Sequence, residues 1–183
     1  MRIVAGLYGG RTVEVPPTGD LRPTQDRVRE SLFGILAPEL GGCAFLDLFA
    51  GSGAVGIEAL SRGAASATLV ERDPRHAATA RRNIEKLSAA GAQVVCADAF
   101  RWIRTYAGPG FGIVFADPPY ALGGEIVSED FLSTLAARGV VRPGGLFVAE
   151  TASAPLPAGI SGWDMLRDRM YGKSRIRIFR RMT

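Results

Sequence analysis

The sequence predicts an α/β fold, in which seven strands form a doubly wound, mostly parallel sheet that follows an N-terminal β-hairpin extension. Two observations support this prediction. From residue 44 to residue 151, apolar runs of strand length alternate with longer stretches of helical character. Such alternation gives a parallel sheet with helices on both faces. The central strands also end in acids, glycines or prolines, which gathers polar groups at the edge where ligands bind in such sheets.

The elements that precede the sheet are a hairpin and a helix. Residues 2–15 alternate around Gly9-Gly10, which favours two short antiparallel strands joined by a turn. Thr24 can cap a helix over Gln25–Leu36, in which apolar residues recur at helical spacing. We therefore divide the chain into an extension, residues 1–20, and a main domain, residues 21–183.

The remaining elements follow from the same periodicities. The predicted strands of the parallel part lie near 44–49, 67–71, 93–97 and 111–116. The predicted helices lie near 54–62, 74–90, 99–107 and 125–138. Residues 140–145 form a turn before a strand at 146–151, and the segments 163–170 and 174–180 are close enough in sequence to pair as an antiparallel hairpin.

Composition excludes several classes of protein. The chain has 183 residues, of which 47% are hydrophobic and 22% are charged, and these are ordinary values for a globular domain. No apolar run reaches the roughly 20 residues of a membrane span, and the N-terminus has no signal-peptide pattern. We therefore expect a cytoplasmic, monomeric protein. Cys43, Cys96 and His76 have no metal-ligand spacing, so we expect neither a metal site nor a nucleophilic mechanism.

A glycine-rich turn follows the first predicted strand of the sheet, Ala44–Phe49. Gly51 and Gly53 permit positive φ and a close approach of a ligand to the backbone. Asp47 is costly to bury in an apolar strand unless groups donate hydrogen bonds to it. Glu71 ends the next strand, 18 residues after Gly53, close to the spacing at which nucleotide-binding folds place a ribose-binding acid.

The glycine pattern alone fits two cofactor classes. Gly51-x-Gly53-x-x-Gly56 formally matches the dinucleotide fingerprint. However, the carboxylate of Asp47 beside the loop suits a cationic ligand better than a pyrophosphate. Asp98, after the third strand, is a further acid that could meet an adenine amino group. Acids at consecutive strand ends favour S-adenosylmethionine, a positively charged adenosine ligand that carries an amino acid.

The tetrapeptide Asp117-Pro118-Pro119-Tyr120 follows the apolar run 111–116. Proline has no N–H, so this loop offers a carboxylate and carbonyl acceptors with few competing donors. Tyr120 adds an aromatic face. An exocyclic NH2 group on a planar ring needs this combination, because its protons require acceptors and its ring requires a stacking partner. These four residues are the predicted catalytic residues.

The sequence resembles a known family, the RsmD family of small-subunit (16S) ribosomal RNA guanine-N2 methyltransferases, which are class I methyltransferases. The matching segments, in order, are Arg2–Gly6 with Gly10-Arg11, Leu21–Thr24, Asp26–Phe33, Asp47–Gly53, Glu58–Ala64 and Asp117–Tyr120. The resemblance spans nearly the whole chain, and residues 151–170 carry no recognisable signature. It implies methyl transfer from S-adenosylmethionine to a guanine N2 amine of 16S ribosomal RNA, free or in the assembled 30S particle.

The resemblance also assigns site residues. Arg22, Thr24 and Arg27 would close over the methionine end of the cofactor. The full set of predicted cofactor-binding residues is Arg22, Thr24, Asp47, Phe49, Gly51, Gly53, Glu71, Arg72, Asp98 and Ala99. The predicted RNA-binding residues are Arg2, Tyr8, Arg11, Arg27, Lys173 and Arg175. Among them, Tyr8 and Arg11 are expected on a hairpin that projects toward the RNA.

The distribution of charge agrees with a nucleic-acid partner. The chain has a net charge of +4, and residues 164–183 carry seven basic side chains against two acidic ones. This end of the chain is therefore at +5 while the rest sums to −1. A cationic end on a nearly neutral body favours contact with phosphates. The alternation of Ile176 and Ile178 with arginines indicates that the same segment is a half-exposed strand.

Alternative functions remain open from the residues alone. An amino methyltransferase acting on adenine N6 or cytosine N4 of DNA would use similar acceptors, although the chain has no added target-recognition domain. A protein-glutamine methyltransferase typically has Asn at the position of Asp117. Cytosine C5 methylation needs a catalytic thiolate that neither cysteine provides. A non-catalytic RNA-binding module with a degenerate cofactor pocket is disfavoured by the intact acids and glycines.

Overall fold

A computed structural model of the chain describes residues 1–15, 24–151, 159–172 and 174–183. The side chains of residues 24–27 and 120 also lie outside the description. The chain divides into two compact units, Met1–Asp98 and Ala99–Thr183. No helix within the described residues combines the length and the apolarity that a membrane crossing requires.

Among its described residues, the first unit contains three helices and three strands. In chain order they are α1 (Thr24–Leu40), β1 (Ala44–Asp47), α2 (Ala54–Ser61), β2 (Ser66–Glu71), α3 (Pro74–Leu87) and β3 (Ala92–Cys96). The helix predicted over residues 25–36 extends by one turn to Leu40, because Phe33, Leu36 and Leu40 all bury their side chains on one face. Its N-terminal residue is Thr24, whose side chain lies outside the description.

Helix α3 begins and ends with local signals that are visible in the sequence. Asp73 caps its N-terminus by accepting the N–H of Arg75 at 2.8 Å, and Pro74 occupies the first helical position, where its missing N–H costs nothing. The helix ends at Leu87, before Ser88, which adopts a left-handed conformation with φ 51°. This ending is three residues earlier than the predicted residue 90.

The strands of the first unit are parallel. β1 pairs with β2 from Ala44↔Ser66 to Asp47↔Leu69, and β2 pairs with β3 up to Glu71↔Cys96. Parallel pairing brings the carboxyl ends of the three strands to one edge. The predicted strand at 67–71 is thereby confirmed almost residue for residue, and β1 ends two residues earlier than predicted.

The N-terminal segment, residues 1–15, folds back on itself but does not form a regular hairpin. Arg2 and Thr12 make one isolated antiparallel bridge, and the Ile3 N–H donates to the Arg11 carbonyl at 2.9 Å. The segment belongs to the same compact unit as α2 and α3. The boundary predicted at residue 20 lies among residues 16–23, outside the described residues, and stays a prediction.

The part of the second unit that the structure describes contains two α-helices and four strands. In chain order they are α4 (Ala99–Thr105), β4 (Phe111–Ala116), α5 (Glu129–Ala137), β5 (Val141–Thr151), β6 (Trp163–Tyr171) and β7 (Ser174–Arg181). β4 is fully buried. The single helix predicted over 125–138 is two pieces, a 3₁₀ turn at Glu125–Val127 and then α5, because Ser128 caps α5 by accepting the N–H of Phe131 at 3.2 Å.

The pairing of β4 with β5 corrects the predicted turn at 140–145. Phe111 pairs with Val141, and two residues later Ile113 pairs with Leu146. The four residues between Val141 and Leu146 therefore bulge from the ladder within β5. The predicted turn before a strand at 146–151 is therefore wrong, because the strand already begins at Val141 and residues 142–145 bulge within it.

The sheet of seven strands has the order β3-β2-β1-β4-β5-β7-β6. β7 is antiparallel to both β5 and β6, which confirms the predicted C-terminal hairpin. The predicted fold class, a mostly parallel seven-stranded α/β sheet, is confirmed.

Candidate cofactor site and acceptor loop

The glycine loop after β1 has two glycines with different tasks. Gly51 has φ +53°, and a Cβ at this position would meet nothing within 4 Å. Gly53 has φ +80°, and its Cβ would lie 3.0 Å from Leu69 Cδ1 and 3.3 Å from Ala80 Cβ. Gly53 is therefore needed for packing against β2 and α3. Gly51 leaves its backbone open to approach from outside.

Gly56 allows α2 to pack closely against β2. It lies in α2, and a Cβ there would come within 2.0 Å of Leu69 Cδ2. Close packing of helix on strand is also the task of the third glycine of the dinucleotide fingerprint. The glycine pattern therefore describes how this turn packs and does not distinguish one adenosine cofactor from another.

Glu71, at the end of β2, holds the glycine loop. Its Oε2 accepts the N–H of Gly51 at 2.8 Å, and its Oε1 accepts the N–H of Asp73 at 2.8 Å. A carboxylate has about four acceptor positions, so each oxygen retains capacity for a further donor. The side chain is 9% exposed. A pair of hydroxyl groups is a suitable source of those donors.

Asp47, at the end of β1, is 1% exposed. Its pKa is raised to about 7, mainly by burial and in part by the nearby Glu71 carboxylate, while hydrogen bonds from the backbone N–H groups of Phe49 and Gly56 act in the opposite direction. The Phe49 N–H lies 3.4 Å from Oδ1. A cation brought close to Asp47 would favour its ionised form. The site therefore suits a ligand that carries positive charge.

The other predicted cofactor residues occupy varied surroundings. Phe49 is half-buried and follows β1, while Arg72 is exposed and follows Glu71. Asp98 is exposed and follows β3, and Ala99 is buried as the first residue of α4. Arg22 and the Thr24 side chain lie outside the described residues. The structure thus brings Asp47, Gly51 and Glu71 together, and the roles of the others stay predictions.

The N-terminal segment is anchored by two residues of α2, Glu58 and Ser61, to which the sequence assigned no role. Glu58 is fully buried and accepts the N–H of Val4 at 2.7 Å and that of Ala5 at 3.1 Å. Ser61 accepts the Tyr8 N–H at 2.8 Å and donates to the Ala5 carbonyl at 2.5 Å. The signal available in the sequence was a glutamate and a serine one helical turn apart in an otherwise apolar helix.

The charge of Glu58 is balanced by two arginines. Arg62 Nε lies 2.6 Å from Glu58 Oε1, and Arg29 Nε lies 3.8 Å from Oε2. Arg29 is itself 5% exposed and also donates to the Arg2 carbonyl. Arg29 therefore links α1 to the N-terminal segment and to α2.

Asn83 of α3 is the third residue that was missed. It is fully buried, and its side-chain amide hydrogen-bonds to Glu14 and Ser52. It therefore connects the N-terminal segment with the glycine loop. A buried Asn on an amphipathic helix is unremarkable in sequence, because its partners lie 31 and 69 residues away.

The acceptor loop, residues 117–120, follows β4 in the second unit. Asp117 and Pro119 are exposed, and Pro118 is buried. The Leu122 N–H donates to the Pro119 carbonyl at 2.9 Å, which closes the 3₁₀ turn Tyr120–Leu122. Ala116 pairs with Ala149 of β5, so the loop begins where the parallel β4–β5 pair ends. The Tyr120 side chain lies outside the description.

The structure changes the picture of the predicted RNA-binding residues. Arg2 and Arg11 are exposed, as expected. Tyr8 is only 7% exposed, and its hydroxyl donates to the Ser88 carbonyl at 3.5 Å. The Tyr8 ring is therefore buried within the protein, and its backbone is fixed against α2 by Ser61, so the RNA contact expected of this residue stays a prediction. Lys173 and the Arg27 side chain lie outside the described residues.

The cationic C-terminal segment is partly neutralised within the protein. Arg175 donates to both carboxylate oxygens of Asp168, at 2.6 and 2.8 Å, and this pairing lowers the pKa of Asp168. Arg177 is 1% exposed and its Nε lies 3.6 Å from Asp168. Arg175 is thus already paired, whereas Arg169 of the neighbouring β6 is exposed.

Comparisons with known proteins agree with this arrangement. The family model described as Conserved hypothetical protein 95 matches residues 1–180. Ribosomal RNA small subunit methyltransferase D of Escherichia coli is 38% identical over 182 residues, which cover 99% of this chain and 90% of the relative. The solved structure of yhhF from Escherichia coli superimposes with a TM-score of 0.86 at 38% identity and covers 100% of this chain and 98% of its own.

A more distant structure shares the fold. It is an RNA methyltransferase from Salinibacter ruber in complex with S-adenosyl-L-homocysteine, with a TM-score of 0.66, 16% identity, and coverage of 88% of this chain and 94% of its own. At this level of identity the likeness establishes the fold alone. Family membership is established by the match to the family model and by the sequence identity along nearly the full length of the chain. The chain belongs to the ribosomal RNA small subunit methyltransferase D family of class I methyltransferases, as the motifs in its sequence predict.

Proposed function

We propose that this protein transfers a methyl group from S-adenosylmethionine to the exocyclic N2 amine of a guanine in small-subunit ribosomal RNA. The observation that carries the proposal is the 38% identity to ribosomal RNA small subunit methyltransferase D along almost the whole chain. The glycine loop and the acid-Pro-Pro-Tyr loop supply the two chemical requirements, a cofactor site and a set of acceptors for an amine. Ribosomal RNA as the substrate implies a cytoplasmic location.

The residues at the glycine loop fit the cofactor. Glu71 keeps acceptor capacity for the two ribose hydroxyls, and Gly51 has no Cβ to fill the space beside its backbone. Asp47 has a raised pKa and would be stabilised in its ionised form by the positive charges of the ligand. We assign to Asp98 the adenine amino group, and to Arg22 and Thr24 the methionine end.

S-adenosylmethionine supplies a methyl group that its sulfonium already activates. The protein therefore has mainly to hold and orient the amine, and alignment of two reactants can lower a barrier by roughly 7–11 kcal/mol. We assign the amine hydrogens to the Asp117 carboxylate and the Pro118 carbonyl. As the N–C bond forms, the C–S bond of the sulfonium breaks and S-adenosylhomocysteine leaves. Positive charge develops on the nitrogen, these acceptors stabilise that charge, and the methylated nitrogen loses one proton to water. Tyr120 would stack on the base, worth about 1–3 kcal/mol.

The RNA has to present an unpaired base. A guanine that is stacked inside an RNA duplex cannot bring its N2 amine to the protein loop that follows β4. The target base is therefore in single-stranded RNA or is flipped out of its helix. Exposed arginines such as Arg2, Arg11 and Arg169 would contact phosphates, which position the RNA without reading its sequence.

One assay separates the proposed substrate from its alternatives. Labelled methyl transfer from S-adenosylmethionine should be measured in parallel on 30S particles, free 16S RNA and duplex DNA, followed by nucleoside analysis. We expect N2-methylguanosine from one of the two RNA substrates and no labelled DNA. Label recovered as N6-methyladenine or N4-methylcytosine would establish the DNA alternative, and label on glutamine of a ribosomal protein would establish the protein alternative.

A further inference from the structure

Asn83 makes three hydrogen bonds with a side-chain amide that is completely buried in the first unit. Its Oδ1 accepts the N–H of Glu14 at 2.8 Å. Its Nδ2 donates to the Glu14 carbonyl at 2.9 Å and to the Ser52 carbonyl at 2.9 Å. Both amide hydrogens are therefore used, and the side chain exchanges hydrogen bonds with both backbone groups of Glu14 in the manner of a strand neighbour.

The carbonyl that receives the third hydrogen bond belongs to the glycine loop. Ser52 lies between Gly51 and Gly53 and is itself 8% exposed. The neighbouring N–H, that of Gly51, is held by Glu71. Consecutive residues of the loop are thus held by different elements, Gly51 by the end of β2 and Ser52 by the middle of α3. Glycine is more flexible than other residues, so a loop with two positive-φ glycines can adopt many backbone conformations. The hydrogen bonds from Glu71 and Asn83 restrict the loop to fewer of them.

The same side chain also fastens the end of the N-terminal segment. Residues 4–8 are held by Glu58 and Ser61 on α2, and Glu14 is held by Asn83 on α3. An ion pair between Glu14 and Arg82, with Oε2 and Nε 3.2 Å apart, adds little at half-exposed positions. Asn83 therefore contacts both the N-terminal segment and the glycine loop.

We propose that Asn83 is a positioning residue that couples docking of the N-terminal segment to cofactor binding at the glycine loop. This inference depends on the proposed function, since it takes an S-adenosyl ligand as the occupant of the loop. When the ligand orders the loop, it fixes the Ser52 carbonyl in position to accept the hydrogen bond from Asn83. The Asn83 side chain is then fixed in the orientation that hydrogen-bonds to Glu14. Because coupling between two equilibria is reciprocal, a docked segment also raises the affinity for the ligand.

The experiment compares three variants by calorimetry with S-adenosylhomocysteine. Asn83→Ala removes all three hydrogen bonds, and Asn83→Asp keeps the size and an acceptor for the Glu14 N–H but loses the donors. Leu87→Ala is the matched control, because Leu87 is buried on the same helix at 3% exposure and contributes only apolar packing. We expect both Asn83 variants to bind about 10-fold more weakly or worse, and the control to bind within about twofold of the unmodified protein.

Amide hydrogen exchange supplies the measurement that a loss of stability alone would not change. In the unmodified protein and in Leu87→Ala, S-adenosylhomocysteine should slow exchange at Glu14 and at the Val4 and Ala5 amides. In Asn83→Asp the ligand, at saturation, should leave these amides unaffected. If Asn83→Ala fails to fold, Asn83→Asp and the control carry the comparison.

The outcomes separate the inference from the function on which it depends. Equal affinity of Asn83→Asp and the control, or ligand-induced protection of Glu14 in Asn83→Asp, would overturn the coupling and leave the cofactor assignment intact. If the unmodified protein bound no S-adenosylhomocysteine, the cofactor assignment would be overturned and the coupling with it.

Discussion

The Glu71 carboxylate accepts the Gly51 N–H at 2.8 Å across 20 residues of sequence, so the acid that ends β2 orders the loop that follows β1. The same carboxylate also accepts the N–H of Asp73, which caps α3. Glu71 therefore fixes two turns and still has acceptor positions that these two hydrogen bonds do not use.

Replacing Glu71 with alanine should weaken binding of S-adenosylhomocysteine by about 10- to 100-fold, because hydrogen bonds to a charged group contribute about 1.5–3 kcal/mol. Isothermal calorimetry measures the change. Glu85→Ala, which removes an exposed carboxylate from α3, is the matched control and should bind normally. Equal affinities for the two variants would show that Glu71 shapes the fold without contacting the ligand.

Asp47 should make cofactor binding dependent on pH. Its pKa is about 7 in the free protein, so below this pH the carboxyl group is increasingly protonated, and a cationic ligand that prefers the ionised form must expel the proton. Affinity for S-adenosylmethionine should therefore fall as the pH drops from 7 to about 5, by up to about 10-fold per unit.

Calorimetry in buffers of different ionisation enthalpy can count the proton. Near pH 6 we expect release of up to about one proton per bound S-adenosylmethionine, and Asp47→Asn should abolish it. Uptake of a proton on binding, or identical release in Asp47→Asn, would contradict a role for Asp47 beside the positive charge.

Asp117→Ala should abolish methyl transfer while leaving the affinity for S-adenosylhomocysteine within about threefold, since the acceptor role acts only on the amine. Single-turnover transfer to the RNA substrate and calorimetry measure the two quantities separately. Asp130→Ala removes another exposed carboxylate of the second unit and should retain activity. A large loss of cofactor affinity in Asp117→Ala would instead assign Asp117 to the cofactor.

Glu58→Ala should lower the free energy of unfolding by about 3–5 kcal/mol, because it leaves Arg62 and the largely buried Arg29 without their shared carboxylate. Urea denaturation measures the loss, and hydrogen exchange at Val4 and Ala5 should accelerate, because Glu58 accepts both N–H groups. Glu30→Ala, at an exposed position of α1, should be nearly neutral. Unchanged protection of the two amides would mean that the N-terminal segment is held by other contacts.

Arg11→Ala should weaken RNA binding at every sequence alike and reduce the slope of log affinity against log salt concentration by about 1, as expected for one lost phosphate contact. Filter binding at several salt concentrations gives the slope. The control is Arg75→Ala, since Arg75 is exposed but paired with Asp73 at 2.8 Å. An unaltered slope in Arg11→Ala would remove Arg11 from the RNA-binding surface.

Local patterns in the sequence determined the elements and the chemistry of the strand ends. The buried run 111–116, the cap at Asp73 and the glycines of the loop each depend on neighbours within a few residues. Propensity, capping and backbone sterics act over that range, so these features can be predicted from sequence order alone. The placement of Asp47 and Glu71 at parallel strand ends follows from the same reasoning.

Tertiary structure alone decided which of those groups are engaged with each other. Tyr8 was expected on a projecting hairpin, yet Ser61, 53 residues away, fixes its backbone. Arg175 was expected to reach RNA, yet it forms an ion pair with Asp168 across the β6–β7 hairpin. The sequence does not reveal the roles of Asn83 and Glu58. A buried polar group is stabilised by its hydrogen-bond partners, and these partners are brought together only when the chain folds.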